Sequence, residues 1–342
     1  MPRRKKIPKQ PGWYESPLIL QEYRLAHMGI DLSRMPFKQA AEAFGVPELC
    51  HAILMNTDVY TIIAASRTNK DTRKAAQKAF RTLLEATVKP FIFHDQFPGF
   101  LKTMKETGLG LMGSLLRMLL MSNSALQIDA ARGGITRFIR PDDLNVVVPF
   151  GALSKTRDYF SKIGYTHFHS LVPWGTYKHA VTHVIGAFRP ARLGERTCHV
   201  TITESVGNIM HVVLAGPMTC WMNVLTASKV YCAYPTLITN STTLRTDIRT
   251  VDFPRRIGGC YNTKVDNSEW TGKCGRHCPA MPRNSIGDKA LASFGWNAGL
   301  ATPDSRFPGE DSVLSSSIIQ WRLSEKCYNE RCPNYVGRRP PL

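Results

Sequence analysis

The sequence predicts an α+β fold, and three observations predict it. Apolar residues recur at helical spacing through the first third of the chain, and short β-branched runs separated by helical patterns follow from Asn145 onward. After Thr250 the periodicity disappears, while Gly, Pro, Asn, Ser and five of the nine cysteines accumulate. With 342 residues, 43% of them apolar and 20% charged, the chain can bury a substantial core as one large or two modest domains.

Residues 1–32 form a basic arm and linker. MPRRKKIPKQ places Arg3, Arg4, Lys5, Lys6 and Lys9 together with no apolar run, unlike a secretory signal. Residues 33–107 read as helical, and NKDTRKAAQKAFRTLLEAT is the clearest piece: Asp71 can cap it, Ala76, Phe80, Leu83 and Leu84 form its buried stripe, and Lys70, Arg73, Lys74 and Lys78 its outer face. A second helix over PGFLKTMKET ends near Gly108, because glycine readily takes the left-handed position beyond a helix.

Residues 108–250 supply the α+β core. NVVVP suits a buried strand, and LSKTRDYFSKIGY a helix capped by Ser154 and stopped at Gly164. VTHVIGAF, CHVTITE and MHVVLA are expected as further strands, joined by the turn-rich RPARLGERT and SVGN. Residues 251–342 form an irregular, cysteine-containing lobe that needs its own fastening.

The longest apolar stretches are broken by Arg117 in one case and by Pro217 and Asn223 in the other. Neither offers the roughly 20 clean residues of a membrane span. A formal charge of +18, from 44 Lys+Arg against 26 Asp+Glu, favours acidic partners, nucleic acid or nucleotide first and an anionic membrane surface second; the alternative is an ordinary basic surface. An odd number of cysteines in a long chain without a signal points to a reduced intracellular compartment, cytoplasm or nucleus.

Gly108, Gly110 and Gly113 satisfy GxGxxG, with Asp129 about 20 residues on. A dinucleotide site needs a strand directly before the first glycine, and FLKTMKET carries charges at helical spacing instead, so this reading is set aside. In PDDLNVVVP, strand alternation puts Asp143 and Asn145 on one face and Leu144, Val146 and Val148 on the core side. Two carboxylates so arranged hold divalent ions that bridge a nucleotide's phosphates. Upstream, Gly113 and Ser114 open a helix, where free N–H groups and the helix dipole suit phosphate.

This order of features resembles the nucleotidyltransferase fold, in which a Gly-Ser pair opens a helix and the following strand carries an acid-hydrophobe-acid pattern. More closely, LMGSLLRMLL, RPDDLNVVVPFG, YFSKIGY, TCWMNVLTASKVYCAYPTLIT and WRLSEKCYNERCPN, spread from about residue 100 to 335, resemble a group of basidiomycete fungal proteins without an established activity. The resemblance implies an architecture more than a reaction. The active fold wants an acid at the place of Asn145 and a third carboxylate on a later strand, which by pattern falls in CHVTITE; that strand offers His199 and Thr201, with Glu204 only at its end. Gly113, Ser114, Asp142 and Asp143 are the candidate nucleotide-binding residues, and Asp143, Asn145 and His199 the degenerate catalytic set. Mg²⁺ would fall to Asp143, with Asp142 on the opposite face of a regular strand. The expectation is a catalytically degenerate binding or interaction module, a pseudoenzyme; the alternative is an active metal-dependent nucleotidyltransferase with an altered ligand set. The bland alternative makes Asp142 and Asp143 turn residues before a core strand.

His167, His169, His179 and His183 form HFH and HxxxH, but HxxxH shares a face only on a helix and VTHVIGAF is β-rich, so ordinary histidines are expected. Cys50 and Cys220 suit inert buried thiols. Cys274 and Cys278 in CGRHC, with Cys327 and Cys332 in CYNERC, have zinc-ligand spacing within each pair, although 48 residues separate the pairs. One tetrahedral zinc would close the lobe on itself, with Cys260 or His277 as substitute ligands and unligated thiols as the alternative.

Overall fold

The computed structural model describes residues 45–57, 59–121, 143–173, 175–190, 197–239, 242–244, 262–264, 274–275, 278–284, 291–297, 320–321, 327 and 329–335. The chain divides into two compact units, Met1–Thr82 and Leu83–Leu342.

The first unit is helical where described. α1 (Pro47–Met55) starts on a proline that needs no N–H partner there, and α2 (Val59–Ala65) follows it. They bury Cys50, Ile53, Leu54, Val59 and Ile62. α3 (Lys70–Val88) runs on into the second unit, and Ala76, Phe80, Leu83 and Leu84 are buried along it as their spacing predicts. Its cap is Asn69, not Asp71: the Asn69 Oδ1 accepts from the Thr72 N–H at 2.8 Å. Asp71 stands one step inside the first turn, exposed, 4.0 Å from Lys74. Lys70, Arg73, Lys74 and Lys78 face solvent.

The second unit is built on a mixed eight-stranded sheet. Its strands are β1 (Gly110–Met112), β2 (Asp143–Val148), β3 (Thr166–Ser170), β4 (Val181–Arg189), β5 (Cys198–Ser205), β6 (Asn223–Leu225), β7 (Lys229–Ala233) and β11 (Leu291–Gly295), in the order β11-β7-β6-β1-β2-β5-β4-β3. Short β8 (Thr242–Leu244) and β9 (Asn262–Lys264) pair in parallel, and β10 (Arg283–Asn284) and β12 (Gln320–Trp321) antiparallel. Within the large sheet β2 and β5 run parallel, and its other pairs are antiparallel. A parallel pair needs a crossover, supplied here by a helix and the β3–β4 hairpin.

α4 (Phe97–Thr107) ends at Gly108, whose φ of 69° is the left-handed cap expected of it. A strand not foreseen from the sequence, β1, then occupies the middle of GLGLMG before α5 (Gly113–Met121) begins. Gly110 is needed there, since a Cβ would come within 2.6 Å of Val224 Cγ2. The crossover helix α6 (Leu153–Lys162) carries no side-chain cap at Ala152, so Ser154 lies inside its first turn and does not cap it; Gly164, at φ 96°, follows its end as expected. α6 packs its Tyr159 against Phe100 of α4, while Phe160 meets Tyr165 edge-on at 5.4 Å. Arg189 ties β4 to the end of α3 by donating to the carbonyls of Phe91 and Pro90, at 3.1 and 2.8 Å.

MHVVLA is a helix, not a strand: α7 (Ile209–Leu214), capped by Asn208, whose Oδ1 accepts from the Met210 N–H at 2.9 Å. Ile209, Met210, Val212 and Val213 pack on one sheet face against Met112, Val147, Val224 and Tyr231. A short, mostly apolar run suits a buried strand and a buried helix equally. That packing also explains Val147, buried at 0% exposure on the same face as Asp143 and Asn145. The last helix among the described residues, α8 (Pro235–Thr239), follows β7. β11 comes from the segment read as irregular, and the Trp296 indole beyond it donates to the Thr226 carbonyl at 3.2 Å.

Candidate functional site

The turn between β1 and α5 brings the sequence-predicted polar residues together. Gly113 has φ 78°, and a Cβ there would sit 3.0 Å from the Asn145 side chain, so glycine is required by both backbone and space. Ser114 Oγ donates to Asp143 Oδ1 at 3.3 Å, and Asn145 Nδ2 donates to Asp143 Oδ2 at 2.7 Å. Each carboxylate oxygen is thus already held from inside the protein. Asp143 and Asn145 share a face by strand alternation, and the parallel register sets His199 beside Asp143 and Thr201 beside Asn145. His199 is exposed and its ring lies 6.3 Å from that of Phe188 on β4. α7 covers this face at the Val147 end. Asp142 lies outside the described residues. Among the described residues the cluster therefore offers one carboxylate, the hydroxyls of Ser114 and Thr201, one amide and one imidazole.

The four late cysteines converge although they are distant in sequence. The Sγ atoms of Cys274, Cys278, Cys327 and Cys332 all lie within 4.8 Å of one another, and all four residues are buried. Cys274 and Cys327 are 3.6 Å apart and Cys278 and Cys332 3.4 Å. Four thiolates at ~2.3 Å around one ion have tetrahedral edges of about 3.8 Å, so the cluster is close to the size of a metal tetrahedron. Asn329 Nδ2 donates to Cys274 Sγ at 3.1 Å and Asn334 Nδ2 to Cys278 Sγ at 3.4 Å. Such donors stabilise sulfur that carries charge. Burial pushes the Cys274 and Cys278 thiols up; at Cys332 the same burial is outweighed by the Asn334 backbone N–H and neighbouring cysteines, and its thiol is held below the usual range. These residues can hold a metal ion. Cys260 and His277 lie outside the described residues. Cys50 and Cys220 are buried and are not part of this group, their thiols pushed up by burial.

Sequence reasoning missed a third constellation, on the other face of the sheet. Glu204, 5% exposed, alternates away from His199, Thr201 and Thr203. Its Oε1 accepts from the Gly151 N–H at 2.9 Å, and its Oε2 from Thr182 Oγ1 at 3.0 Å and His183 Nδ1 at 2.9 Å. The β4–β5 register shifts between Val181 and His183, which lets two successive side chains reach one oxygen. Burial alone would raise the Glu204 carboxyl, but the His183, Thr182 and Gly151 donors hold it below its ordinary value. The signal in the sequence was a lone acid at a strand end, unreadable without the register. Of the other histidines, His167 stacks on Phe188 at 4.7 Å. Among the described residues, the cysteines are the one group of three or more suited to a metal.

No protein-family model matches the chain, and no curated protein is significantly similar to it. No described helix is long and apolar enough to cross a membrane.

Proposed function

We propose that the second unit is a nucleotidyltransferase-like core that has lost transfer chemistry and serves as a binding or interaction module for a nucleotide or nucleic acid. One observation carries this reading. The three places that would hold the metal ions carry Asp143, the Asn145 amide and, by register, His199. Two-metal transfer needs negative ligands to clamp ions on both the attacking and leaving oxygens, and Asp143 is one carboxylate. The order β1, Gly113–Ser114 at the start of α5, then β2 antiparallel to β1 and β5 parallel to β2 supports the architectural part. The +18 charge supports a phosphate-bearing partner.

The test is a labelled-nucleotide transfer assay with each of the four triphosphates and Mg²⁺ or Mn²⁺. No transfer is expected, and triphosphate binding should weaken several-fold in Ser114→Ala and Asp143→Ala. Robust wild-type transfer abolished by Asp143→Ala would establish the active-enzyme alternative with Mg²⁺ at Asp143.

A second reading concerns the metal. The closeness of the four Sγ atoms supports zinc as the ion: it accepts four thiolates in a closed tetrahedron, with no position left for substrate. Its role is then structural, joining segments that contribute little apolar burial of their own.

A further inference from the structure

We propose a second binding site, on the sheet face opposite Asp143, that takes a small phosphate monoester between His183 and Arg157. A cleft of about 330 Å³ opens there, lined by Leu153, Ser154, Arg157, His183, Ile185 and Glu204. That is the lower end of the range for small-molecule sites.

The donor and acceptor balance of the lining selects the ligand. Among the described residues Glu204 is the only carboxylate in the wall, and it is spent: three donors from Gly151, Thr182 and His183 hold its two oxygens, and its side chain is 6% exposed. An ionised carboxylate only accepts, so the His183 Nδ1 carries the proton toward it. This fixes the ring orientation; in the protonated ring Nε2 carries a second N–H, a donor on a side chain 65% exposed. Arg157 adds a guanidinium; it lies over the Phe168 ring at 5.1 Å and makes no ion pair among the described residues. The Ser154 hydroxyl is a further donor on the rim. The Arg157 guanidinium and the Ser154 hydroxyl are therefore unspent donors, joined by Nε2 of the protonated His183 ring, and together they fit the oxygens of a dianion. Leu153 and Ile185 supply an apolar wall for a small organic group beside it.

The carboxylate–imidazole pair acts here as an anchor that orients the donor. No bond is made or broken. The site is independent of the Asp143 cluster, and each reading can fail without the other.

The test uses the full chain and phenyl phosphate, with binding followed by titration calorimetry at low salt. Because a basic chain attracts anions generally, Arg157→Met and His183→Gln are compared with Lys162→Met, which removes the same charge from an exposed position outside the cleft. His183→Gln keeps a donor for Glu204, and melting curves verify the fold of each variant. The expected result is at least a tenfold loss of phenyl phosphate affinity in Arg157→Met and in His183→Gln, with less than a twofold change in Lys162→Met. An oligothymidylate without a terminal phosphate distinguishes the diester source of the same chemistry and should bind all variants alike. Equal weakening by all three substitutions, no binding by the wild type, or losses confined to the oligothymidylate would overturn the proposal.

Discussion

Asn145 and Glu204 show how differently two polar residues on neighbouring strands are used. Asn145 spends its amide on Asp143 at 2.7 Å, stabilising a lone carboxylate where a second one would repel it. Glu204 gathers three donors in a buried place. Its carboxyl is depressed in the folded protein, so it contributes stability that is fully present above the unfolded value of ~4.3 and lost as pH falls through the lower folded value. Glu204→Gln should therefore cost about 1–3 kcal/mol at neutral pH, because it removes a charged acceptor from buried donors. The gap to wild type should close as the pH is lowered below that window. Urea unfolding midpoints at pH 7 and through the acid range measure this. A gap that stays constant on acidification would show that Glu204 stabilises by shape alone.

Helix termini decide where the elements of this fold begin, and both N-caps named from the sequence were misplaced. Ser, Thr, Asp and Asn are all competent caps, so NKD offers two candidates, and only backbone geometry distinguishes them. The Asn69 Oδ1 reaches the Thr72 N–H at 2.8 Å, while Asp71 is exposed within the first turn. Asn69→Ala should destabilise α3 by about 1 kcal/mol, whereas Asp71→Ala should cost only a few tenths through the helix dipole. Thermal midpoints of the two variants, compared side by side, check the order, and the reverse order would return the cap to Asp71. At α6, Ser154 proved internal because the N-cap falls two residues earlier, at Ala152, next to Gly151, whose N–H donates to Glu204. Gly108 was legible as a stop, since its left-handed φ of 69° suits glycine above other residues.

Over the whole molecule, the late segment depends on contacts that cross long stretches of sequence. β11 adds to the edge of the main sheet beside β7, and the cysteine pairs meet although 48 residues lie between them. If an ion joins the pairs, its removal separates the segments while the sheet core, with Val146, Val200, Ile202 and Val224 at 1% exposure or less, stays folded. Protein purified without chelator should contain close to one equivalent of zinc. A strong chelator should expose Cys274, Cys278, Cys327 and Cys332 to thiol reagents at temperatures well below the main unfolding transition, because metal-binding free energy is folding free energy for such a lobe. Metal-free protein in which all four thiols titrate freely without loss of structure would remove zinc from the account.

The sequence by itself determined what depends on near neighbours. Period and apolar content were sufficient for the α+β class, for the buried stripe of α3 and for β2, β4 and β5, and ligand spacing alone marked CGRHC and CYNERC as candidate metal-binding pairs. Strand alternation alone placed Asp143 and Asn145 side by side. Tertiary structure decided what depends on partners far along the chain. A short run such as IMHVVL has a single polar residue, the exposed His211, too little to reveal its period, so packing against Val147 and Val224 made it a helix. β1 is three residues long, and its neighbours β2 and β6 define it. Register, which no local signal carries, put His199 beside Asp143 and His183 on Glu204, and folding of the whole unit brought four distant sulfurs within 4.8 Å.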